Sequence, residues 1–296
     1  MKEKRKLNKG GKILLLFTLV VSSIFLLRPF TVKADVNVNI NKETQIVTDL
    51  IGQYNINYTG DANFFGFYGY YENNNYNEMV KDTDFKTTVD TIGKGKIVNS
   101  SIASLKKTDG ATQIEAAYLV WETSVQGKNN TDLVKKAANK AVYFAGSTDK
   151  GAFTKKVNAS YAAVDMREPH LGTKEYTFSC MYTDVTATVQ KYGYGKYGVA
   201  NIPYVESTEK SNTSKGTHSG ESSAAWQLIV IEKNSKANVR AVSLKVGSHF
   251  NYQQENSKWT RNPVTMNLDL GDCKTNQYIN EDSEVSGELL LLGTNS

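Results

Sequence analysis

The sequence is poor in cysteine, histidine and proline, and these shortages exclude several classes of protein. With two cysteines and three histidines, the chain has neither a dense disulfide framework nor the repeated ligand spacing of a zinc site. It also lacks the G-x-S-x-G turn of serine hydrolases and the H-E-x-x-H helix of zinc proteases. We therefore interpret His170, His218 and His249 as structural or solvated side chains.

The sequence has one long apolar run, which lies close to the N-terminus. Ile13–Leu27 follows a lysine- and arginine-rich start, and Val32-Lys33-Ala34 then resembles a signal peptidase site. This order predicts a signal peptide over residues 1–34 and a secreted or cell-surface protein. An uncleaved membrane anchor is the alternative, although the run is shorter than the about 20 residues that a spanning helix requires.

Removing residues 1–34 changes the charge balance. These residues hold eight of the 35 basic residues and one of the 30 acidic residues, so the remainder carries 27 basic and 29 acidic side chains. The positive net charge of the whole chain belongs to the predicted signal. The charge balance therefore gives no support for nucleic acid as a partner.

After residue 34 the apolar residues occur in short runs separated by Asn, Gly, Ser and Lys, which is typical of many short strands. Ala116–Trp121 is apolar at every position, as in a strand buried on both faces. Leu228–Glu232 and Val239–Val246 predict a hairpin. We expect an all-β protein: an antiparallel β-sandwich, jelly-roll-like, with at most one or two short helices. We place an N-terminal β elaboration at 35–110 and the core sandwich at 111–296.

Cys180 and Cys273 would both meet an oxidising exterior if the chain is secreted. One disulfide between them and two buried free thiols are both compatible with the sequence, because spacing does not give the distance between the sulfur atoms.

The glycines Gly193, Gly195 and Gly198 match the letters of the dinucleotide fingerprint G-x-G-x-x-G. That fingerprint requires a strand before the glycines and a helix after them. Here an Asp-capped helical turn precedes them, and a strand that meets Pro203 follows. We predict turn positions with positive φ and no dinucleotide site.

Four segments, AAYLVWET, YTDVTATVQKYGYGKYGVANI, SSAAWQLIVIEKNSKANVRAVSLKVGSHF and VSGELLLLG, occur in this order between residues 114 and 293. Their succession resembles an uncharacterised extracellular domain found near the N-termini of large repeat-containing bacterial surface proteins, adhesin-like proteins of Gram-positive bacteria among them. The resemblance implies an exported β-sandwich that takes part in adhesion. The matching structural positions are Trp121, Asp184, Val185, Asn201, Trp226 and Arg240.

The strongest surface candidates are an aromatic segment, Phe64–Tyr71, and a polar segment, Ser207–Ser223, which we expect to be a long exposed loop. Within them, the predicted ligand-binding residues are Tyr68, Tyr70, Tyr71 and His218. The resulting hypothesis is a non-catalytic, adhesin-like binding module for an extracellular glycan or protein, with a membrane contacted only through the signal segment.

Two other functions remain open. A secreted enzyme acting on polysaccharide would use paired carboxylates, for which Asp82/Asp84, Asp269/Asp272 and Glu281/Asp282/Glu284 are candidates. A membrane-acting secreted protein would insert Phe64–Tyr71 into lipid. We expect no cofactor, with calcium at oxygen-rich loops as the alternative, although no EF-hand spacing is present.

Overall fold

Two long strands organise the larger of two β-sheets. The computed structural model describes residues 37–40, 45–68, 77–93, 97–126, 138–167, 176–203, 210–213 and 216–247, all of which lie in the compact unit Val36–Ser296. The strands are β1 (Asn37–Ile40), β2 (Gln45–Tyr68), β3 (Ser100–Leu105), β4 (Ala111–Gln126), β5 (Val142–Thr148), β6 (Gly151–Val157), β7 (Tyr161–Arg167), β8 (Tyr176–Asp184), β9 (Gly195–Ala200), β10 (Lys210–Thr213), β11 (Gly216–Asn234) and β12 (Val239–Val246).

The eight-stranded sheet has the order β1-β7-β8-β4-β11-β2-β12, with β10 paired to β11, and the four-stranded sheet has the order β3-β9-β5-β6. Every pair is antiparallel except β1 with β7, which is parallel. The predicted all-β architecture of two antiparallel sheets is confirmed, with this one parallel pair as an addition.

The main core lies between the two sheets. Trp121, Trp226 and Leu228 from the large sheet pack in one cluster with Phe144 and Tyr197 from the small sheet, and all five are almost fully buried. Strand β4 is buried on both faces, as its continuous apolar run predicts. Its Ala117, Leu119 and Trp121 enter this core, whereas Ala116 and Tyr118 join a second cluster on the opposite face of the large sheet.

Short helices cover the outer face of the small sheet. They are α1 (Glu78–Lys81), a 3-10 turn (Thr83–Phe85) and α2 (Lys86–Ile92), and their Met79, Phe85 and Ile92 pack on Ala145 and Ala200. A further helix, α3 (Thr186–Tyr192), leads into β9. The helices are short and few, as predicted, although the described residues contain three α-helical segments rather than two.

Two local predictions are wrong. β11 and β12 are neighbours along the chain, but they do not pair as a hairpin, because each pairs with β2 instead, β11 through residues 54–68 and β12 through residues 45–53. The polar segment Ser207–Ser223 is not one long loop either, since its residues 210–213 and 216–219 pair as β10 and β11. In both places long-range strand pairing overrides local composition.

Strands from both predicted parts of the chain, 35–110 and 111–296, are interleaved. β2 from the first part lies between two strands of the second, and β3 pairs with β9. The predicted signal peptide, Cys273 and the VSGELLLLG segment lie outside the described residues.

Candidate functional site

Two of the four predicted ligand residues, Tyr68 and His218, lie on neighbouring strands at one end of the large sheet. Strand β11 pairs with β4 only from Ser222 onwards, and before that point its residues 216–219 pair with β10, whereas Ser219 and Glu221 pair with β2. We call residues 66–68, 210–213 and 216–221 the ribbon end. In its register, Tyr68 lies opposite Ser219 and His218 lies opposite Ser211. Tyr68 and His218, distant in sequence, are therefore on adjacent strands one residue apart in register, at positions that belong to opposite faces of a regular ladder.

Tyr70 and Tyr71 lie outside the described residues, so their role stays a prediction.

The alternation of β2 also produces a surface that the sequence analysis did not select. Ile56 and Tyr58 lie on the outer face of the large sheet, where the Tyr58 side chain is 50% exposed. Its neighbour in register, Ile229 of β11, is buried. The signal for this surface was the period-two alternation of Tyr54, Ile56 and Tyr58.

The residues that carry the resemblance have structural positions. Trp121 and Trp226 are fully buried and lie directly opposite each other on β4 and β11. Val185 is buried beside them in the core, whereas Arg240 is exposed on β12. The burial of both tryptophans confirms their predicted place in the core.

A chain of buried hydrogen bonds connects Trp226 to the small sheet. The indole Nε1 donates to Ser101 Oγ at 2.7 Å, and Ser101 Oγ donates to Asn63 Oδ1 at 2.6 Å. Asn63 Nδ2 in turn donates to Asn99 Oδ1 and to the Val199 carbonyl, both at 2.9 Å. We call Trp226, Ser101, Asn63 and Asn99 the polar network. It links β2 and β11 of one sheet to β3 and β9 of the other, which fixes how the two sheets are aligned.

Gly193 and Gly195 form the predicted turn with positive φ, whereas the prediction is wrong for Gly198, which lies within β9 without a positive φ. Asp184 Oδ1 accepts a hydrogen bond from the Thr186 amide at 2.7 Å, so this carboxylate satisfies a free amide at the start of α3. The helix ends at Gly193, whose φ is 73°, and β9 begins at Gly195, whose φ is 142°. A Cβ on Gly195 would lie 2.7 Å from Thr148 Cα, so a side chain is excluded there. The helix precedes the glycines and a strand follows them, which is the reverse of a dinucleotide loop.

Asn201 ends β9 with a positive φ of 58°. Its Oδ1 accepts a hydrogen bond from the Val98 amide at 2.8 Å, and its own amide donates to the Asn99 carbonyl at 2.8 Å. Asn tolerates this left-handed conformation better than most residues do, and its side chain can bond to nearby backbone groups. The Asn of the "VANI" segment therefore has a turn-forming role.

The carboxylate pair Asp82/Asp84 binds a lysine. Lys196 Nζ lies 2.9 Å from Asp82 Oδ2 and 2.7 Å from Asp84 Oδ2. Burial opposes the charged form of Asp82, but hydrogen bonds from Lys196 and from the Asp84 and Phe85 amides outweigh it and lower the pKa of this carboxyl. These two residues tie the 3-10 turn to β9. Asp269, Asp272, Glu281, Asp282 and Glu284 lie outside the described residues.

Glu232 is a carboxylate that the sequence analysis placed only as a strand residue. It is completely buried, and its Oε1 accepts a hydrogen bond from Asn57 Nδ2 at 3.0 Å. Its Oε2 has no hydrogen-bond partner among the described residues. Burial and the adjacent Glu232 carboxylate together raise the pKa of the Tyr194 hydroxyl. Because Glu232 is closed off from solvent, this geometry suits a structural role.

Cys180 is buried in β8, and burial together with the Glu122 carboxylate raises the pKa of its thiol. A pairing with Cys273 stays a prediction.

Within the described ranges, no three His, Cys, Asp or Glu side chains converge as a metal site would require. None of the described helices has the length and apolarity needed to cross a membrane.

Comparisons with known proteins identify no relative. No protein-family model matches the chain, and neither a curated protein nor a solved structure matches it. The resemblance to bacterial surface proteins accordingly stays a prediction.

Proposed function

We propose that the chain is a secreted or cell-surface binding module that attaches to an extracellular glycan or protein and carries out no catalysis. The observation that carries this proposal is the ribbon end, where β2 and β11 bring Tyr68 and His218 onto adjacent strands. Strand edges and hairpins that project beyond a rigid sheet are common places for binding residues, because the scaffold positions them while their sequence can vary.

The scaffold supports this proposal through its polar network. The hydrogen bonds from Trp226 through Ser101 to Asn63 join the two sheets close to the point where β2 and β11 continue towards the ribbon end. A site built on strands that are held in this way loses little conformational entropy when a ligand binds. Tyr and His side chains offer both a ring face and a hydrogen-bonding group to a sugar or a peptide.

The positions of two carboxylate groups also favour binding over hydrolysis. Asp82 and Asp84 share Lys196, and Glu232 is enclosed by the two sheets. A glycosidase would instead need two carboxyl groups about 5–10 Å apart on either side of a bound sugar. No specific observation on the described residues favours the enzyme or the membrane-acting alternative.

An array experiment tests the proposal. The labelled full chain is applied to immobilised glycans, cell-wall polymers and extracellular-matrix proteins, with and without calcium, beside the same chain after thermal unfolding. We expect saturable binding of the folded chain to a small set of related ligands. Hydrolysis of an arrayed polysaccharide would support the enzyme instead, and leakage of dye from liposomes at micromolar protein would support the membrane-acting function.

A further inference from the structure

Three lysines lie beside helix α3, one near its third residue and two near its C-terminal end. Lys155 Nζ, on β6, donates a hydrogen bond to Thr188 Oγ1 at 2.9 Å. Lys191 Nζ lies 5.0 Å from the centre of the Tyr192 ring. Lys150, in the turn between β5 and β6, passes so close to Gly193 that a Cβ there would lie 3.4 Å from Lys150 Cε. We call Lys150, Lys155 and Lys191 the lysine cluster.

Helix α3 and its neighbours hold the cluster together. Thr188 and Lys191 are three residues apart on the helix, so their side chains lie on one face, about 5–6 Å apart at Cβ. The Tyr192 ring packs 4.4 Å from the Phe153 ring, two residues before Lys155 on β6. The Tyr192 carbonyl also accepts a hydrogen bond from Thr148 Oγ1 at 2.7 Å, directly before the turn that carries Lys150.

No carboxylate neutralises these lysines within the part of the chain that the structure describes. The ion pairs found there involve Lys196, Lys233 and Lys236, and all three side chains of the cluster are exposed. The chain after residue 34 has slightly more acidic than basic residues. Asp149 adjoins Lys150 in the same turn, so one negative charge stands beside the three lysines, and the remaining local excess of positive charge creates a potential that attracts anions.

We propose that the lysine cluster is a second binding surface, which takes a polymer with phosphate groups along its chain. Lysine binds phosphate as a compact point charge and needs no fixed bidentate geometry, which suits a polymer whose phosphate groups can shift along the surface. The hydroxyls of Thr188 and Thr148 are occupied by hydrogen bonds within the protein, so the binding rests on the three exposed ammonium groups. This surface is distinct from the ribbon end and goes beyond the proposed function, because it gives the protein a means of attachment to a polyanion.

Stabilisation of the C-terminus of α3 by nearby positive charge is the competing explanation for this arrangement. It predicts an effect of the lysines on folding stability and no effect on ligand affinity. Measuring both quantities on the same variants therefore separates the two explanations.

The test measures binding of the full chain to long-chain inorganic polyphosphate at low salt, by fluorescence anisotropy. The variant Lys150→Gln/Lys155→Gln/Lys191→Gln is compared with Lys106→Gln/Lys107→Gln/Lys140→Gln, which removes the same net charge from three other exposed lysines. We expect the first variant to bind about tenfold or more weakly, with a shallower dependence of affinity on salt, and the second to stay within about twofold of the wild type.

Two variants and three contradicting outcomes complete the test. The variant Lys150→Arg/Lys155→Arg/Lys191→Arg keeps the charge and should retain most of the affinity. If the triple Gln variant does not fold, Lys191→Gln alone should still weaken binding about two- to threefold. Equal losses in both Gln triples, absence of binding by the wild type, or equal binding of sulfated heparin through the same lysines would each overturn the assignment to a phosphate polymer.

Discussion

The two tryptophans of the core lie opposite each other, but their surroundings differ. Trp226 donates its indole hydrogen to Ser101 and is one member of the polar network. Trp121, on the neighbouring strand, is equally buried, yet its Nε1 has no hydrogen-bond partner among the described residues, and neither has Oγ1 of Thr123 two residues further on. The two tryptophans are therefore equally buried, but the indole N–H of Trp226 belongs to a network of hydrogen bonds, whereas, within the described part of the chain, that of Trp121 does not.

This difference shows how the sandwich obtains a unique alignment. Apolar contacts around Trp121 are not directional and tolerate small shifts of one sheet against the other. The hydrogen bonds around Trp226 are directional and buried, so a shift would leave donors and acceptors without partners at a cost of about 1–3 kcal/mol each. The Trp226 region specifies the alignment, and the Trp121 region supplies bulk apolar stabilisation.

The largest expected effect follows from removing a tryptophan altogether. Trp226→Ala should lower the free energy of unfolding by about 3–5 kcal/mol, because it creates a large cavity and leaves Ser101 without its indole donor. Chemical denaturation of the two proteins measures this difference. A loss of less than about 1 kcal/mol would show that Trp226 is not buried in the core.

Asn63 tests the polar network without changing an aromatic side chain. Asn63→Ala should cost about 1–3 kcal/mol, because Ser101 and the Val199 carbonyl both lose their partner in a closed interior. The exposed amide Gln53, on the same strand, is the matched control, since it bonds only to the Ala237 carbonyl. Gln53→Ala should change stability by no more than about 0.5 kcal/mol. Similar losses in both variants would contradict a special role for the polar network.

Replacing each tryptophan by phenylalanine sharpens the comparison directly. Both changes remove ring volume and an indole N–H, but only Trp226→Phe breaks a hydrogen bond. We expect Trp226→Phe to be more destabilising than Trp121→Phe by about 1 kcal/mol. A double-mutant cycle of Trp226→Phe with Ser101→Ala should show coupling, whereas Trp121→Phe with Ser101→Ala should be additive.

The smallest effect is expected at the surface. The pKa of Asp82 is lower in the folded protein than its ordinary value of 3.8. Its ionised form therefore stabilises the fold at every pH above that ordinary pKa. This contribution is lost as the pH falls through the lowered pKa. The difference in unfolding free energy between wild type and Asp82→Asn should be present at pH 6 and disappear at strongly acidic pH. A difference that is independent of pH would mean that the charge of Asp82 contributes nothing.

Local features of the fold could be predicted from the sequence, because short-range physics determines them. The continuous apolar run of β4, which contains the buried Trp121, and the glycine turn after α3 each follow from a few neighbouring residues. These features need no knowledge of which strands pair.

Features that depend on distant pairing could not be predicted. The sequence has a turn between β11 and β12, but the pairing of these strands with successive parts of β2 depends on the register of a strand far away in the chain. The polar network draws its members from four separate segments, and nothing in the sequence around Asn63 or Ser101 identifies the partner. The lysine cluster is likewise assembled from a turn, an edge strand and a helix.

The measurement that tests the functional account most directly compares two tyrosines of β2. Tyr68→Ala changes the ribbon end, whereas Tyr58→Ala removes an exposed tyrosine from the outer face of the same strand. Affinity is measured for the ligand that the array identifies. The account predicts that Tyr68→Ala weakens binding about tenfold or more while Tyr58→Ala leaves it within about twofold, as expected when a few residues carry most of the binding energy. The reverse order would contradict a binding site at the ribbon end and would place it on the outer face of the large sheet.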